Sequence, residues 1–456
     1  MAVKKSKTKK AAPKEPLKVF SSNSFPLLKG IFNHPIGAAW DELYGWNFVS
    51  ANSPGEGAYY YRRLWALVIE TQEFTRHVQV GNGLQDFFLE RLLEDTNPFH
   101  RKAELVPLHQ ITSSLVKEYE SELKGFLQFV LRPDWESEIK ELEKKFGFPT
   151  PSLKDTQGLA VSVNTPWLEE RRKIKEKILN AFSSNLVKDL ADFFYQNGCG
   201  LFGRNRAFRW EVPKNGKGHL TGIEAVDPIR LENLVGYDEQ RKPLIENIES
   251  FVAEKGANNV LIYGERGTGK SSTVKALLNT YQEKGLRLVE VPASRLDEFH
   301  DILRDLRGRR EKFILFVDDL SFEENETQYK GLKALLEGSI EATPPNVILI
   351  ATSNRRHLVK EFFAEREEGV HKDGEVHGQD SVEEKLSLSD RFGLVVSFYT
   401  PDQETYLKIV ESWARFEGIK LPKVELHSRA LKWEKANHVR SGRTARQFIY
   451  DLKGKI

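Results

Sequence analysis

Residues 264–271 read GERGTGKS, and this short segment constrains the fold more than any other part of the chain. It follows the apolar run NNVLIYG and precedes an amphipathic pattern, which predicts a strand, a glycine-rich loop and a helix in succession. Glycines allow a sharp turn that points backbone N–H groups at one anion, and the start of a helix adds partial positive charge. The spacing G-x-x-x-x-G-K-[ST] therefore predicts a site for the phosphates of a nucleoside triphosphate.

The predicted nucleotide contacts are the residues of this loop and the residue after it. We expect Lys270 to reach the β- and γ-phosphates, and we expect the hydroxyl of Ser271 to bind Mg²⁺. The full predicted set is Gly264, Glu265, Arg266, Gly267, Thr268, Gly269, Lys270, Ser271 and Ser272.

Two carboxylates end a later apolar run, FILFVDDL. Ligands of parallel sheets bind beyond the carboxyl ends of the strands, so this position suits a metal site. Asp318 is predicted to hold Mg²⁺, and Asp319 is predicted to orient or polarise the attacking water. Many hydrolysing ATPases carry glutamate at the second position. The shorter aspartate favours slow hydrolysis, or hydrolysis that needs a partner.

The chain changes character near Pro228. From there, short apolar runs alternate with helical patterns, which predicts an α/β fold: a parallel sheet of the P-loop NTPase type with helices on both faces. The last part is helical only and reads as a lid, whereas the aromatic-rich first part is mostly α. The predicted organisation is a disordered basic tail (1–20), a mostly helical N-terminal region (21–210), a linker (211–227), a nucleotide-binding core (228–400) and a helical C-terminal lid (401–456).

Composition narrows the class of protein further. The chain has 456 residues, of which 39% are hydrophobic and 29% charged, as in soluble globular proteins. No apolar run approaches the roughly 18 residues of a membrane span, and an apolar secretory signal is not evident. The single cysteine, Cys199, excludes an intramolecular disulfide, and we expect a cytoplasmic location. Seven lysines among the first 18 residues fit a solubilising leader, with contact to nucleic acid or acidic lipid as the alternative.

The order of motifs over residues 228–456 resembles the AAA+ ATPase superfamily. The phosphate loop is followed in the expected sequence by FVDDL, IATSN, LSDRFGL and SGRTARQF. LSDRFGL and the paired aspartates are similar to replication initiators and helicase loaders. As a whole, the segment also resembles an uncharacterised bacterial AAA-type family, a domain of unknown function.

This resemblance implies roles for further residues. Asn354 matches sensor 1, which positions water near the γ-phosphate, and Arg391 matches the arginine finger supplied by a neighbouring subunit. Arg446 is preferred as the lid arginine, with Arg443 as the alternative. The adenine contacts implied by the resemblance are Val235, Gly236 and Tyr237.

The sequence is compatible with three functions. The first is a homo-oligomeric ATPase that hydrolyses ATP between subunits to remodel or load an unknown protein or nucleic-acid partner. The second is a nucleotide-dependent switch or adaptor that binds ATP with little intrinsic turnover. The third, a small-molecule kinase, ranks last because it would not need a sensor, a finger and a helical lid. All three bind nucleotide at the phosphate loop, and the predicted cofactors are ATP and Mg²⁺.

Overall fold

The computed structural model describes part of the chain, and the statements below concern that part. The described residues are 21–49, 54–73, 79–131, 144, 151–153, 166–180, 185–214, 216–320, 336, 343–354, 391–437 and 439–455. The chain divides into two compact units, Met1–Gly203 and Arg204–Ile456. The predicted basic tail, residues 1–20, lies outside the described residues.

The first unit is mostly helical, as the sequence predicts. Its helices are α1 (Pro35–Val49), α2 (Pro54–Glu73), α3 (Gly83–Glu94), α4 (Pro98–Leu105), α5 (Ser113–Phe126), α6 (Pro166–Asn180), α7 (Leu186–Asn197) and α8 (Gly200–Arg204). A π-helical turn, Leu127–Leu131, extends α5.

Aromatic side chains fill the core of this unit. Phe32, Trp40, Phe88 and Phe126 are buried there, with ring centroids 5.4–6.3 Å apart for the pairs that involve Phe32. Such contacts contribute beyond their burial of apolar area. These four aromatic side chains therefore serve packing in this unit.

The second unit is built on a seven-stranded sheet. The strands are β1 (Ala207–Glu211), β2 (His219–Ile223), β3 (Val260–Gly264), β4 (Leu286–Glu290), β5 (Lys312–Val317), β6 (Val347–Ser353) and β7 (Leu394–Phe398). Their order across the sheet is β2-β1-β4-β5-β6-β3-β7. Neighbouring strands are parallel except β1 and β2, which are antiparallel. The central strands are buried over most of their length, as continuous apolar runs in a covered parallel sheet should be.

The structure corrects the predicted boundary between the two parts. Residues 211–227, predicted as a linker, contain β2, and β1 pairs in parallel with β4 from Ala207 to Arg209. Trp210 explains part of this difference, because its buried side chain donates a hydrogen bond from Nε1 to Glu298 at 2.7 Å. The α/β core therefore begins before residue 228 and includes this hairpin.

Helices α9 (Asp238–Val252), α10 (Lys270–Tyr281) and α11 (Phe299–Leu306) accompany the sheet. The lid consists of α12 (Gln403–Phe416), α13 (Lys423–Asn437) and α14 (Gly442–Lys453), which share their own apolar core. Asp402 caps α12 and Ser441 caps α14 through side-chain oxygens. Among the described helices, none is both long and apolar enough to cross a membrane.

Candidate functional site

The strand order brings three predicted motifs to one edge of the sheet. Strand β6 lies between β5 and β3, and all three run parallel. The phosphate loop follows β3, the two aspartates follow β5, and Asn354 follows β6. Because parallel strands end at the same edge, residues far apart in sequence meet there.

The phosphate loop depends on its glycines for its backbone shape. Gly264, Gly267 and Gly269 have φ values of 145°, 79° and 96°, in the region that favours glycine. A Cβ at Gly264 would overlap the carbonyl oxygen of Phe398 in the neighbouring strand. Gly269 directly precedes α10, so the loop leads into the positive end of a helix. The loop residue Thr268 is buried and donates its hydroxyl to the Glu265 carbonyl at 2.9 Å.

Lys270 lies at the centre of this loop. Its side chain is buried, and Nζ donates to the carbonyl oxygens of Gly264 at 2.9 Å and Glu265 at 2.8 Å. A third bond goes to Oδ1 of Asn354 at 2.9 Å. The lysine thus joins the loop to the end of β6.

Burial lowers the pKa of Lys270 to about 8, because the charged ammonium loses solvation. The negative charges of Asp318 and Asp319 raise this pKa, and the positive charges of Arg266 and Arg443 lower it. An anionic neighbour such as a bound phosphate would stabilise the charged form of this lysine.

Ser271 and Asp318 lie together at the first turn of α10. The serine hydroxyl donates to Oδ1 of Asp318 at 2.7 Å, and the Thr352 hydroxyl donates to the same oxygen at 2.5 Å. A hydroxyl and a carboxylate are hard oxygen donors of the kind that Mg²⁺ takes in phosphate-binding sites. The donor set at this position therefore fits the predicted metal.

Asp319 is held in an uncommon backbone conformation. Its φ is 54°, which non-glycine residues adopt rarely. Its N–H donates to the Thr352 hydroxyl at 3.0 Å, and its carboxylate accepts a hydrogen bond from Nδ2 of Asn354. The amide of Asn354 consequently bridges the second acid and Lys270.

The predicted adenine segment lies between the core and the lid. Tyr237 stacks on Phe398 with ring centroids 5.1 Å apart, and its hydroxyl donates to the Tyr399 carbonyl at 2.6 Å. A Cβ at Gly236 would lie 2.6 Å from Thr405, whereas Val235 packs on the lid core. Phe398 belongs to β7 and pairs with Gly264 at the end of β3. The Val235–Tyr237 segment therefore packs against the strand next to the one that leads into the phosphate loop.

The two candidate lid arginines have different surroundings, and those of Arg443 are closer to the phosphate loop. The guanidinium of Arg446 lies 4.9 Å from the Trp413 ring, and its Nε donates to the Tyr450 hydroxyl at 2.9 Å. Arg443 is beside the loop instead: a Cβ at Gly267 would lie 3.2 Å from that of Arg443. The helix start fixes this approach, because the Gly442 N–H donates to the Gly267 carbonyl at 3.0 Å.

We therefore expect Arg443→Ala to weaken ATP binding by about tenfold, the value of one hydrogen bond to a charged group. Arg446→Ala should leave ATP affinity within about twofold of wild type, because its guanidinium is engaged by aromatic rings in the lid. Titration of both variants with a fluorescent ATP analogue measures the difference. The reverse ranking would favour Arg446 as the lid arginine.

Arg391 is not brought to this site. It precedes β7, whose residue Leu394 pairs with Val260 while Phe398 pairs with Gly264. Arg391 therefore lies toward the edge of the sheet where the parallel strands begin. The length of β3, about 13 Å, separates that edge from the phosphate loop. Phe392 beside it is buried, and the Arg391 side chain is half-buried.

Sequence reasoning missed three contacts at this site. Thr352 hydrogen-bonds with both acids, and the available signal was its position near the end of β6, two residues before Asn354, since alternate residues of an extended segment share a face. Thr400 donates to the Glu265 carboxylate where β7 leads into the lid. A Cβ at Gly267 would lie 2.9 Å from the Ser441 hydroxyl oxygen, a closeness that only the packing of the lid reveals.

Known proteins resemble parts of this chain. Replication factor C subunit 3 of Schizosaccharomyces pombe is 25% identical over 150 residues, which is 32% of this chain and 43% of that protein. The chain thus spans less than half of this relative. Two solved structures each align with 50% of this chain and 73% of their own. One is the Thermotoga maritima RuvB Holliday junction branch migration motor, with 16% sequence identity and a TM-score of 0.28. The other is the FIGL-1 AAA domain in complex with ADP, with 18% sequence identity and a TM-score of 0.35.

The convergence of loop, acids and asparagine at one edge of a parallel sheet places this chain in the AAA+ P-loop ATPase superfamily, which confirms the resemblance. Within it, the chain belongs to the family described as Protein of unknown function (DUF815), whose sequence model matches residues 203–456. That match begins one residue before the second compact unit, which starts at Arg204.

Proposed function

We propose that this protein is an ATPase that hydrolyses ATP at sites completed between copies of the chain. The proposal rests on the distance within one chain between the phosphate-site residues and the candidate arginine finger. Lys270, Asp318 and Asp319 are gathered at one edge of the sheet, whereas Arg391 lies toward the other edge. A second copy that presents its Arg391 to this site would complete it.

Each side chain then has a task that its surroundings support. Lys270 binds the phosphates, and Ser271 with Asp318 holds Mg²⁺, which neutralises phosphate charge when bound. Asp319 orients the attacking water, and its hydrogen bond from Asn354 fixes the direction of the carboxylate. The Val235–Tyr237 segment contacts the base.

Contacts between the lid region and the phosphate loop could couple ATP hydrolysis to movement of the lid. The Gly442 N–H contacts the phosphate loop at Gly267, and Thr400 contacts Glu265 of the same loop. A change in the phosphates would therefore alter lid contacts at two points. We propose that this motion remodels or loads a macromolecular partner, which the helical N-terminal region recognises. The similarity to a replication factor subunit makes a nucleic-acid assembly one class of partner to test.

A nucleotide-dependent switch is the second candidate, and one observation favours it. Lys270 and Asp319 are both hydrogen-bonded to Asn354, so both principal side chains have partners within the chain. A protein of this kind would bind ATP and turn it over rarely until a partner changed these contacts.

The deciding experiment measures ATP hydrolysis per protomer against protein concentration in the presence of Mg²⁺. We expect the rate per protomer to rise with concentration and then saturate, because dilution separates each site from the arginine that completes it. A rate independent of concentration would contradict the shared site. A rate near zero, together with tight ATP binding, would favour the switch.

A further inference from the structure

Thr352 is the buried residue that links the two acids of the proposed site. It lies near the end of β6 and is 1% exposed. Resting on the proposed function, we infer that Thr352 is a positioning residue. Its hydroxyl orients Asp318 and Asp319, and through Asp318 it sets how strongly Mg²⁺ strengthens nucleotide binding.

The direction of the hydrogen bonds is fixed by chemistry. The Asp319 N–H can only donate, so the Thr352 oxygen accepts this bond, at 3.0 Å. A hydroxyl has a single proton, and that proton goes to Oδ1 of Asp318 at 2.5 Å. The threonine is thus a relay between two successive residues. Its hydroxyl cannot rotate without losing one of the two bonds.

The main chain of Thr352 adds a third connection. Its carbonyl oxygen accepts the N–H of Leu320 at 2.7 Å. Asp318, Asp319 and Leu320 are therefore all attached to one residue of the neighbouring strand. This matters most at Asp319, because its φ of 54° lies in the left-handed region that non-glycine residues adopt infrequently, and fixed neighbours help to hold it there.

Asp318 is the point at which this support reaches the metal site. The oxygen that accepts from Thr352 also accepts from Ser271, at 2.7 Å. Both acids are exposed at the strand end, so protein contacts rather than tight packing hold their orientation. A partner that orients a metal-binding carboxylate commonly changes metal affinity by 10- to 100-fold.

A merely structural threonine would behave differently. Its loss would lower stability, or weaken nucleotide binding equally with and without metal. Loss of a positioning hydroxyl should instead remove the part of the affinity that depends on Mg²⁺. The phosphate loop does not include Thr352, so binding in the absence of metal serves as an internal reference.

The test uses the full chain as wild type, Thr352→Val, Thr352→Ser and Thr280→Val. Valine keeps the shape and removes the hydroxyl, whereas serine keeps the hydroxyl. Thr280 is the matched control, since its hydroxyl donates to the Ala276 carbonyl within its own helix α10, at 2.8 Å. Each protein is titrated with a fluorescent ADP analogue in EDTA and again in Mg²⁺, and thermal unfolding checks folding.

We expect Mg²⁺ to tighten ADP binding by wild type, Thr352→Ser and Thr280→Val to similar extents. Thr352→Val should bind ADP in EDTA with the affinity of wild type. The factor by which Mg²⁺ tightens its ADP binding should be about tenfold smaller than in wild type. If the valine variant unfolds, Thr352→Ala takes its place, because it buries no additional methyl group.

Several outcomes would overturn the inference. Equal Mg²⁺ effects in wild type and the hydroxyl-free variants would do so, as would equal losses in EDTA and in Mg²⁺. Failure of the proposed function is distinguishable. Wild type that binds no nucleotide refutes both proposals, whereas wild type that binds with a Mg²⁺ effect and hydrolyses nothing refutes only the ATPase.

Discussion

Lys270→Ala is expected to weaken ATP binding by about 10- to 100-fold, and to reduce hydrolysis accordingly. A hydrogen bond to a charged group contributes about 1.5–3 kcal/mol, and the lysine is buried where a phosphate would be its strongest partner. The substitution also removes the donor to the carbonyl oxygens of Gly264 and Glu265, which lie at the start of the loop. Equilibrium titration with a fluorescent ATP analogue measures the loss.

Lys275→Ala is the matched control, because Lys275 is in the same helix and outside the loop. It should bind ATP as wild type does. The thermal unfolding midpoint of each variant separates loss of binding from loss of fold. ATP affinity within twofold of wild type for Lys270→Ala would refute the assignment of residues 264–271 as the phosphate site.

The phosphate loop was predictable because its chemistry is local. Eight consecutive residues contain the glycines, the lysine and the serine, and the flanking apolar run and helix pattern locate them in the fold. Asp318 and Asn354 were predictable for a related reason: each follows a buried strand directly. Alternation of strand and helix predicts a parallel sheet, and a parallel sheet places such residues at one edge.

Contacts between distant segments were not predictable in the same way. The glycine- and lysine-rich stretch 211–227 has the composition of a linker, yet β2 within it pairs with β1, and β1 pairs with β4. This pairing depends on an edge of the sheet that only the assembled fold provides. The choice between Arg443 and Arg446 was similar, because both follow the Ser441 cap and only the packing of the lid distinguishes them.

Arg391→Ala is expected to leave ATP affinity unchanged and to reduce hydrolysis by about a thousandfold or more, the effect of removing an arginine finger that stabilises the transition state. The reason is positional: Arg391 precedes β7, toward the edge of the sheet away from the loop of its own chain. Arg429→Ala is the control, since Arg429 makes an exposed ion pair with Glu425 at 2.5 Å, which contributes little. Unchanged hydrolysis by Arg391→Ala would refute the finger.

Mixing two inactive variants then tests whether the arginine acts between copies. Arg391→Ala keeps Asp319 but lacks the finger, and Asp319→Asn keeps the finger but lacks the acid. In a random mixture, about a quarter of the interfaces combine an intact acid from one copy with an intact arginine from the next. The mixture should therefore recover about a quarter of wild-type hydrolysis, although each variant alone is nearly inactive. An arginine that acted only within its own chain would give no recovery at any mixing ratio, because no protomer in the mixture has both residues.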